Sequence, residues 1–503
     1  EEEKDDDEVK GKRKRDGKDD EFMDKGEVIK LILSSHNGGM DALEHGRLTH
    51  ALAVKNALVH DIGVCNALIT MYGKYGHIHD ARIIFEKASG HTVISWTAMI
   101  HAYSHHGHHV EALGLFREME NQAIVKPNEV TFATILRSCA AISALTDGHS
   151  IHLSTVENGF EYDVFVGTSL IDMYGKCGSL EEARFMFDRM VKRNLATWNS
   201  MVTAYAQQHQ YAWHALEIFT IMLLEGVGPD RITFISLLSA CASVGSLRDG
   251  YVIHEHVVRD EIEKDVMVGT SLVDMYGKCG ALEEAQSTFE DMCERTVVSW
   301  NALIGAYSSN KQGEEEEALH LFVQMQHEGV MPDEVTFIHM FHACENSLKG
   351  RELHASITNN TSTVLETALV CMYGKIGNLD DARRVFDNMC WRDLVCWTAM
   401  IAAYVEKGEN RNALRLFRLL KKENIKADIV SFVGVLTACA NLTSLDDGRE
   451  IHALVVESGL ESELFILNSL LNMYGKCGSL DDAHIIFQKS EQRNLVTWNA
   501  IIA

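Results

Sequence analysis

The sequence predicts an all-α solenoid of tandem helix–turn–helix pairs, and three observations lead there. First, a unit returns five times: Met71-Tyr72-Gly73-Lys74 comes back at Met173, Met275, Met372 and Met473, in steps of 102, 102, 97 and 101 residues. A tryptophan (Trp96, Trp198, Trp300, Trp397, Trp498) and a Gly-x-x-x-His element (Gly46/His50, Gly148/His152, Gly250/His254, Gly350/His354, Gly448/His452) keep the same beat. A period this long marks stacked helical units in place of one compact core. Second, apolar residues recur at helical spacing throughout each unit. Third, the chain has only three prolines, Pro127, Pro229 and Pro332, all at one place in the unit, so helices elsewhere run without a breaker.

Within the unit the pattern divides into three pairs. Residues 93–128 place Trp96, Met99, Ile100 and Tyr103 on one helix, a turn at His105-His106-Gly107, then Ala112, Leu115, Phe116 and Met119 on a second. Neither stripe is buried by its own helix, so each must pack on its partner and on the next pair. Residues 129–163 form a second pair (Phe132, Leu136 and Cys139, then Ile151). Residues 164–194 form a shorter third (Leu170, Met173 and Tyr174, then Leu180, Ala183, Phe187 and Met190). Continued along the chain, this division starts pairs at residues 27, 62, 93, 129, 164, 195, 231, 266, 297, 334, 363, 394, 429, 464 and 495, the last truncated. The pair at residue 334 is shortened to 29 residues, which accounts for the 97-residue step. No spacer separates the pairs, which argues for one continuous superhelix.

Residues 1–26 are charged and lack apolar periodicity, so they are expected to be disordered. Lys12-Arg13-Lys14-Arg15 is embedded among acids and reads as part of a solvated tail. An organelle transit peptide is poor in acids, so this segment is not one. The chain begins without Met and stops at Ala503 inside a repeat, as a fragment of a longer protein would. No apolar run reaches the roughly 18 residues of a membrane span. Cysteines at repeat spacing (Cys139 and Cys241, Cys177 and Cys279) read as small buried packing residues in a reducing or organellar interior, not as a disulfide framework. The net charge of −26 opposes polyanion binding. It is compatible with such binding only if the acids lie away from the binding face.

Val297-Val298-Ser299-Trp300-Asn301-Ala302-Leu303-Ile304, followed by Ala318-Leu319 and closing on Gly329-Val330-Met331-Pro332-Asp333, resembles a pentatricopeptide repeat. The alternation of motifs of about 35, 35 and 31 residues is similar to the plant-type PLS subclass. Gly-x-x-x-His resembles its long motif, and Met-Tyr-Gly-Lys-Cys-Gly-Ser-Leu its short one. The resemblance covers residues 27–503. It implies a right-handed α-solenoid superhelix that binds single-stranded RNA, one nucleotide per repeat, in its inner groove. The base is read by the fifth residue of a motif with its last, while an apolar second residue wedges between bases.

Transferred residue by residue, the reading pairs in the tryptophan-bearing motifs are Thr97 with Asn128, Asn199 with Asp230, Asn301 with Asp333, and Thr398 with Asp428. Ala427 there replaces the usual proline. In the short motifs they are Asn66 with Thr92, Thr168 with Asn194, Thr270 with Thr296, Thr367 with Asp393, and Asn468 with Asn494. At all nine, the fifth residue is Asn or Thr, although the residue before it ranges over Trp, Gly, Cys, Glu and Leu. The long motifs carry apolar fifth residues (Leu31, Ala133, Ile235, Ile338, Val433) and are assigned no base. The wedges are Ile94, Phe165, Met267, Val298, Val364, Val395 and Phe465, with the small Gly63 and Ala196 at two sites. In the family's code Thr/Asn favours A, Asn/Asp favours U, Thr/Asp favours G and Asn/Asn favours a pyrimidine. The implied target is N-Y-A-N-A-U-N-R-U-N-G-G-N-Y.

Editing members of the family carry a zinc cytidine deaminase, which needs His-x-Glu and Pro-Cys-x-x-Cys. The second motif is absent, and His109-Val110-Glu111 falls inside a repeat helix. The cluster His105-His106-Gly107-His108-His109 occupies an inter-helix turn and is not assigned a metal. The periodic histidines lie about a repeat apart and read as structural. There is no Walker loop, dinucleotide fingerprint or nucleophile–base set, so the chain reads as no enzyme and needs no cofactor or small-molecule substrate. The expected role is a specificity factor in organellar RNA processing, above all C-to-U editing, in the mitochondrion or chloroplast, with catalysis from a missing C-terminal domain or an enzyme in trans. The alternative is a tetratricopeptide-like protein-interaction scaffold. The two differ in where the acids lie: Glu181-Glu182, Glu283-Glu284, Asp380-Asp381 and Asp481-Asp482 fall at second-helix starts, where the helix dipole favours them.

Overall fold

A computed structural model describes residues 25–34, 40–88, 90–122, 124–309, 315–357, 362–489 and 493–502. These residues are α-helices joined by turns, and no strand occurs among them. The chain divides into two compact units, Glu1–Val244 and Gly245–Ala503. In the first unit the leading helices of the pairs are Lys25–Ser34, Ile62–Lys74, Val93–His105, Glu129–Ala141, Val164–Lys176, Leu195–Ala206 and Arg231–Val244. In the second they are Val266–Lys278, Val297–Ser309, Glu334–Ala343, Thr363–Ile376, Leu394–Glu406, Ile429–Leu442, Leu464–Lys476 and Leu495–Ile502. Inside each unit a leading helix packs on its own second helix and on the next leading helix, so the leading helices form one layer and the second helices another. The fold is an α-solenoid.

One boundary differs from the sequence reading. The first helix starts at Lys25, two residues ahead of residue 27, and Lys25 Nζ meets Asp61 Oδ2 at 2.7 Å, which ties this turn to the start of the next leading helix. The rest of the charged segment, residues 1–24, lies outside the described residues.

The recurrent sequence landmarks form a single interlock. A Cβ built on Gly148, Gly250 or Gly448 would come within 2.4, 2.4 or 2.3 Å of the sulfur of Met173, Met275 or Met473. Four residues on from each glycine, His152, His254 and His452 bond through Nδ1 to the hydroxyls of Tyr174, Tyr276 and Tyr474 at 2.8, 2.7 and 2.8 Å. His50 with Tyr72 and His354 with Tyr373 repeat the contact at 3.0 Å. The glycine of Met-Tyr-Gly-Lys admits the next leading helix: a Cβ on Gly175 or Gly277 would lie 2.5 or 2.4 Å from that of Ala204 or Ala306. The tryptophans complete the layer. Trp198, Trp300 and Trp397 are buried and meet Phe187, Phe289 and Phe386 edge-on, with ring centroids 4.6–5.0 Å apart, the geometry aromatic quadrupoles favour.

Two predictions follow from this packing. Gly175→Ala forces a methyl into the Ala204 contact and is expected to destabilise the chain by about 1–3 kcal/mol in denaturant unfolding. Burial lowers the pKa of His50, His152, His254, His354 and His452 from the usual 6.5, so the fold holds them neutral. The unfolded chain then binds more protons than the folded one below pH 6.5. Their contribution is therefore complete above that value and is lost as pH falls through the lowered folded values. The melting temperature is expected to drop between pH 7 and pH 5.

Candidate nucleic-acid interface

The turn before a leading helix must satisfy the helix's unpaired N–H groups. After long motifs Asp61, Asp163 and Asp265 do so, and after the other motifs the residue placed there is the one assigned to base reading. Asn128, Asn194 and Asp333 are N-caps whose side chains accept from the backbone N–H of Thr131, Thr197 and Thr336. Asp393 and Asp428 likewise accept from Cys396 and Ser431. The cap also lies beside the fifth residue of its own motif. Asn199 Nδ2 donates to Asp230 Oδ1 and Asn301 Nδ2 to Asp333 Oδ1, both at 2.9 Å.

A third side chain joins each of these pairs. It is the third residue of the following leading helix, a buried hydroxyl. Thr233 Oγ1 donates to Asn199 Oδ1, and Thr336 Oγ1 to Asn301 Oδ1, at 2.6 Å. Ser95 donates to Asn66 at 2.7 Å and Thr497 to Asn468 at 2.8 Å. Where the fifth residue is threonine, Thr97 bonds Thr131 and Thr168 bonds Thr197 at 2.7 Å, while Thr398 bonds Ser431 at 3.2 Å. Those hydroxyls in turn donate to Asn128, Asn194 and Asp428. Thr367 meets the Cys396 thiol in place of a hydroxyl. Asn66 also reaches Thr92 Oγ1, at 3.4 Å.

One assigned pair is not brought into such a group. Thr270 donates to the Val266 carbonyl at 2.7 Å, and Thr296 pairs with Ser299 at 3.1 Å. After each long motif, whose fifth residue is apolar, the third position is apolar too: Val64, Val166, Val268, Leu365 and Ile466.

Asp230 and Asp333 are held below the usual carboxylate range. Burial pushes each up but is outweighed by hydrogen bonds to the carboxylate, led by the backbone N–H of Thr233 or Thr336 and the amide of Asn199 or Asn301. Both are therefore acceptors at neutral pH.

The wedge residues stand in the open on the leading helices. Ile94, Phe165, Met267, Val298, Val364, Val395 and Phe465 are all more than half exposed. The long motifs carry exposed Val130, Ile232, Val335 and Val430 at the equivalent position. Isolated exposed apolar residues need no explanation, but a row at fixed repeat spacing marks a contact surface. The row borders concave space. A cavity of about 520 Å³ is lined by Ile94, Thr97, Asn128, Lys74 and His101, and one of about 380 Å³ by Thr270, Val298, Asn301, Lys278 and His339.

Four acidic pairs lie on the other layer, although Asp172, Asp274 and Glu366 remain on leading helices. Glu181-Glu182, Glu283-Glu284, Asp380-Asp381 and Asp481-Asp482 occupy the first turns of second helices. Several pair with arginines of the preceding second helix: Arg351 with Asp381 at 2.7 Å and Arg449 with Asp482 at 2.8 Å. Among the described residues no group of three or more His, Cys, Asp or Glu is placed to hold a metal, and no helix is long and apolar enough to cross a membrane.

A layered array of helical pairs with a capped polar residue at each joint defines a class of helical repeat proteins. Comparison with known proteins gives the family. The PPR repeat family matches residues 91–141, 295–346 and 392–441; the PPR repeat matches 64–90, 168–195, 270–297, 367–394 and 465–495; and the pentatricopeptide repeat domain matches 188–243. Pentatricopeptide repeat-containing protein At1g03540 of Arabidopsis thaliana is 32% identical over 90% of this chain and 74% of its own length. The mitochondrial At3g02330 is 32% identical over 91% of this chain, and the chloroplastic At1g11290 is 34% identical over 90%. The chain spans 53% and 56% of the lengths of these two relatives. The crystal structure of the pentatricopeptide repeat protein PPR10 from maize superposes with a TM-score of 0.65 at 18% identity, over 94% of this chain and 70% of that one. The chain belongs to the pentatricopeptide repeat family.

Two sets of residues that shape this surface escape a reading of the sequence motif by motif. The bridging hydroxyls belong to the next repeat, and their signal is the Ser or Thr that recurs two residues before the next fifth position. The other set is an arginine just before the closing residue of a short motif. Arg193 donates to the carbonyls of Phe187 at 2.9 Å and Asp188 at 3.2 Å, and its guanidinium lies 4.6 Å from the Phe187 ring centre. Arg295, Arg392 and Arg493 repeat the placement over Phe289, Phe386 and Phe487. Each fixes the loop that delivers the cap. Arg193→Ala is expected to cost about 1–3 kcal/mol in unfolding free energy, from loss of the two charge-assisted bonds and of the guanidinium–Phe187 contact, while Arg193→Lys recovers only part of it.

Proposed function

We propose that this chain binds single-stranded RNA sequence-specifically along its leading-helix layer and serves as a specificity factor in organellar RNA processing, most specifically C-to-U editing. The observation that carries this reading is the repeated pairing of an exposed apolar side chain with a hydrogen-bonded polar group at the same end of successive leading helices. The apolar residues supply stacking-type contacts on the faces of bases, worth roughly 1–3 kcal/mol each. The polar groups meet base edges, which single strands expose and duplexes hide. Lys74 lines one cavity and Lys278 the other, where Lys278 pairs with Asp274 at 2.8 Å. The Arg–Asp pairs on the second helices neutralise part of the acidic excess away from that layer.

A solved relative supports the same ligand class. The structure of PPR10 in complex with an 18-nt psaJ RNA element superposes with a TM-score of 0.58 at 17% identity, covering 94% of this chain and 83% of that one. Relatives named as mitochondrial or chloroplastic support an organellar site of action. The three-part alternation supports assignment to the PLS subclass. The chemistry on the bound RNA then belongs to an enzyme recruited in trans or to a further domain of a longer protein.

The test is titration of the chain with a 14-nucleotide RNA of the implied sequence, a scrambled RNA and the matching DNA across a salt series. The expected result is tight binding that weakens on scrambling and on raising salt, with Asn301→Thr shifting preference at the ninth nucleotide from U toward G. Equal affinity for all three nucleic acids, or no binding at low salt, overturns the proposal and favours the protein scaffold.

A further inference from the structure

We propose that the buried hydroxyl at the third residue of each following leading helix is a specificity-determining positioning residue, because it fixes which end of the fifth-position asparagine amide faces the base. This rests on the RNA-reading function above. In all four motifs with a fifth-position asparagine, the amide oxygen is within 2.6–2.8 Å of such a hydroxyl: Ser95, Thr233, Thr336 and Thr497. Thr233, Thr336 and Thr497 have no exposed surface and Ser95 almost none, so no base touches them. They act only through the residue they hold.

The placement of protons follows from donor and acceptor counting. An ionised Asp230 only accepts, so Asn199 must turn Nδ2 toward it, as the 2.9 Å contact shows. That leaves Asn199 Oδ1 against Thr233 Oγ1 at 2.6 Å, a separation that requires the hydroxyl proton to point at the amide. The proton is then not given to Asp230 Oδ1, which lies 3.0 Å from the same hydroxyl. The amide is locked with its second N–H available to the base, beside a carboxylate. Uracil presents N3–H between two carbonyls and answers both groups; cytosine puts a lone pair at N3, against the carboxylate.

Where the closing residue is Asn494, the lock opens. Its Oδ1 accepts from the Thr497 N–H at 2.9 Å and can also take the Thr497 hydroxyl proton at 2.9 Å. If it does, Asn468 can reverse and donate Nδ2 to Thr497 Oγ1. Both amide orientations are satisfied, which accounts for a motif that accepts either pyrimidine. The closing residue thus acts on the base partly through a proton on the neighbouring repeat, and each repeat's choice depends on the one after it.

The test uses the full chain carrying Thr233→Val, which keeps shape and removes the hydroxyl, and Thr233→Ser, which restores it. Affinity is measured for RNAs with U or C at the sixth nucleotide, opposite Asn199, and separately at the ninth, opposite Asn301. The inference expects Thr233→Val to reduce the U-over-C ratio at the sixth nucleotide at least fivefold, with the ratio at the ninth unchanged, and Thr233→Ser to recover it. A valine variant that binds more weakly overall but keeps its U-over-C ratio at the sixth nucleotide overturns it, since that is what a merely structural role gives. Thr336→Val provides a second test if Thr233→Val does not fold, since Thr336 holds the Asn301 amide in the same way. The U-over-C ratio should then fall at the ninth nucleotide with the sixth unchanged, and an unchanged ratio at the ninth overturns the inference. A wild-type chain with no base preference at any position overturns the RNA reading itself, and this inference with it.

Discussion

Where a short motif meets the tryptophan-bearing motif after it, the two leading helices approach so closely that only a glycine fits. At Gly175 and Gly277 a single methyl would collide with Ala204 or Ala306, and at Gly73 and Gly374 the facing Ala102 and Ala403 stand at 2.6 and 2.7 Å from the same virtual atom. Interiors at crystal-like density do not absorb an added methyl without displacement. This contact fixes the register of one leading helix on the next. At these joints the cap of one helix, the fifth residue of the helix before it and the third residue after the cap come within hydrogen-bonding reach, as Asn194, Thr168 and Thr197 do. A looser stack would leave the same side chains too far apart to cooperate.

The same economy explains why the closing positions, to which base reading is assigned, tolerate variation. A helix N-cap accepts Asn, Asp, Ser or Thr at similar cost, so the closing residue can change without unfolding the joint. Thr92, Asn128, Asn194, Asp333 and Asp393 all fill the role here. The interlock residues have no such freedom. Met173 occupies the space a side chain at Gly148 would need, and the Tyr174 hydroxyl requires the His152 ring. Stability is therefore carried by residues other than those proposed to carry specificity.

The solenoid of helical pairs was legible in the sequence because its packing recurs: Trp198 on Phe187 and His254 on Tyr276 return with the period, and a period is visible without knowledge of the fold. The row of exposed apolar residues was legible through the resemblance to the repeat family, which assigned Phe165 and Met267 to a position that the structure leaves more than half exposed. The bridging hydroxyls were not. Thr233 lies 34 residues from Asn199, in the next motif, and on its own reads as an ordinary capping-box threonine. Its second bond exists only once two helices are stacked. The failure of Thr270 and Thr296 to join one group was equally hidden: Thr270 bonds its own helix at Val266, as Thr168 and Thr398 bond Val164 and Leu394, yet only those two also meet the next hydroxyl. Long motifs could have been flagged, since an apolar fifth residue is followed by an apolar third residue in the next motif at every copy.

The most direct measurement is photo-crosslinking of a 14-nucleotide RNA carrying 4-thiouridine at the ninth position, with the crosslinked peptide identified by mass spectrometry. If the leading-helix layer reads the RNA in the register set by the repeats, the adduct maps to the first turns of the helix Val297–Ser309, at or beside Val298 and Asn301. Adducts on the second helices, or spread evenly over leading helices of many repeats, would contradict it.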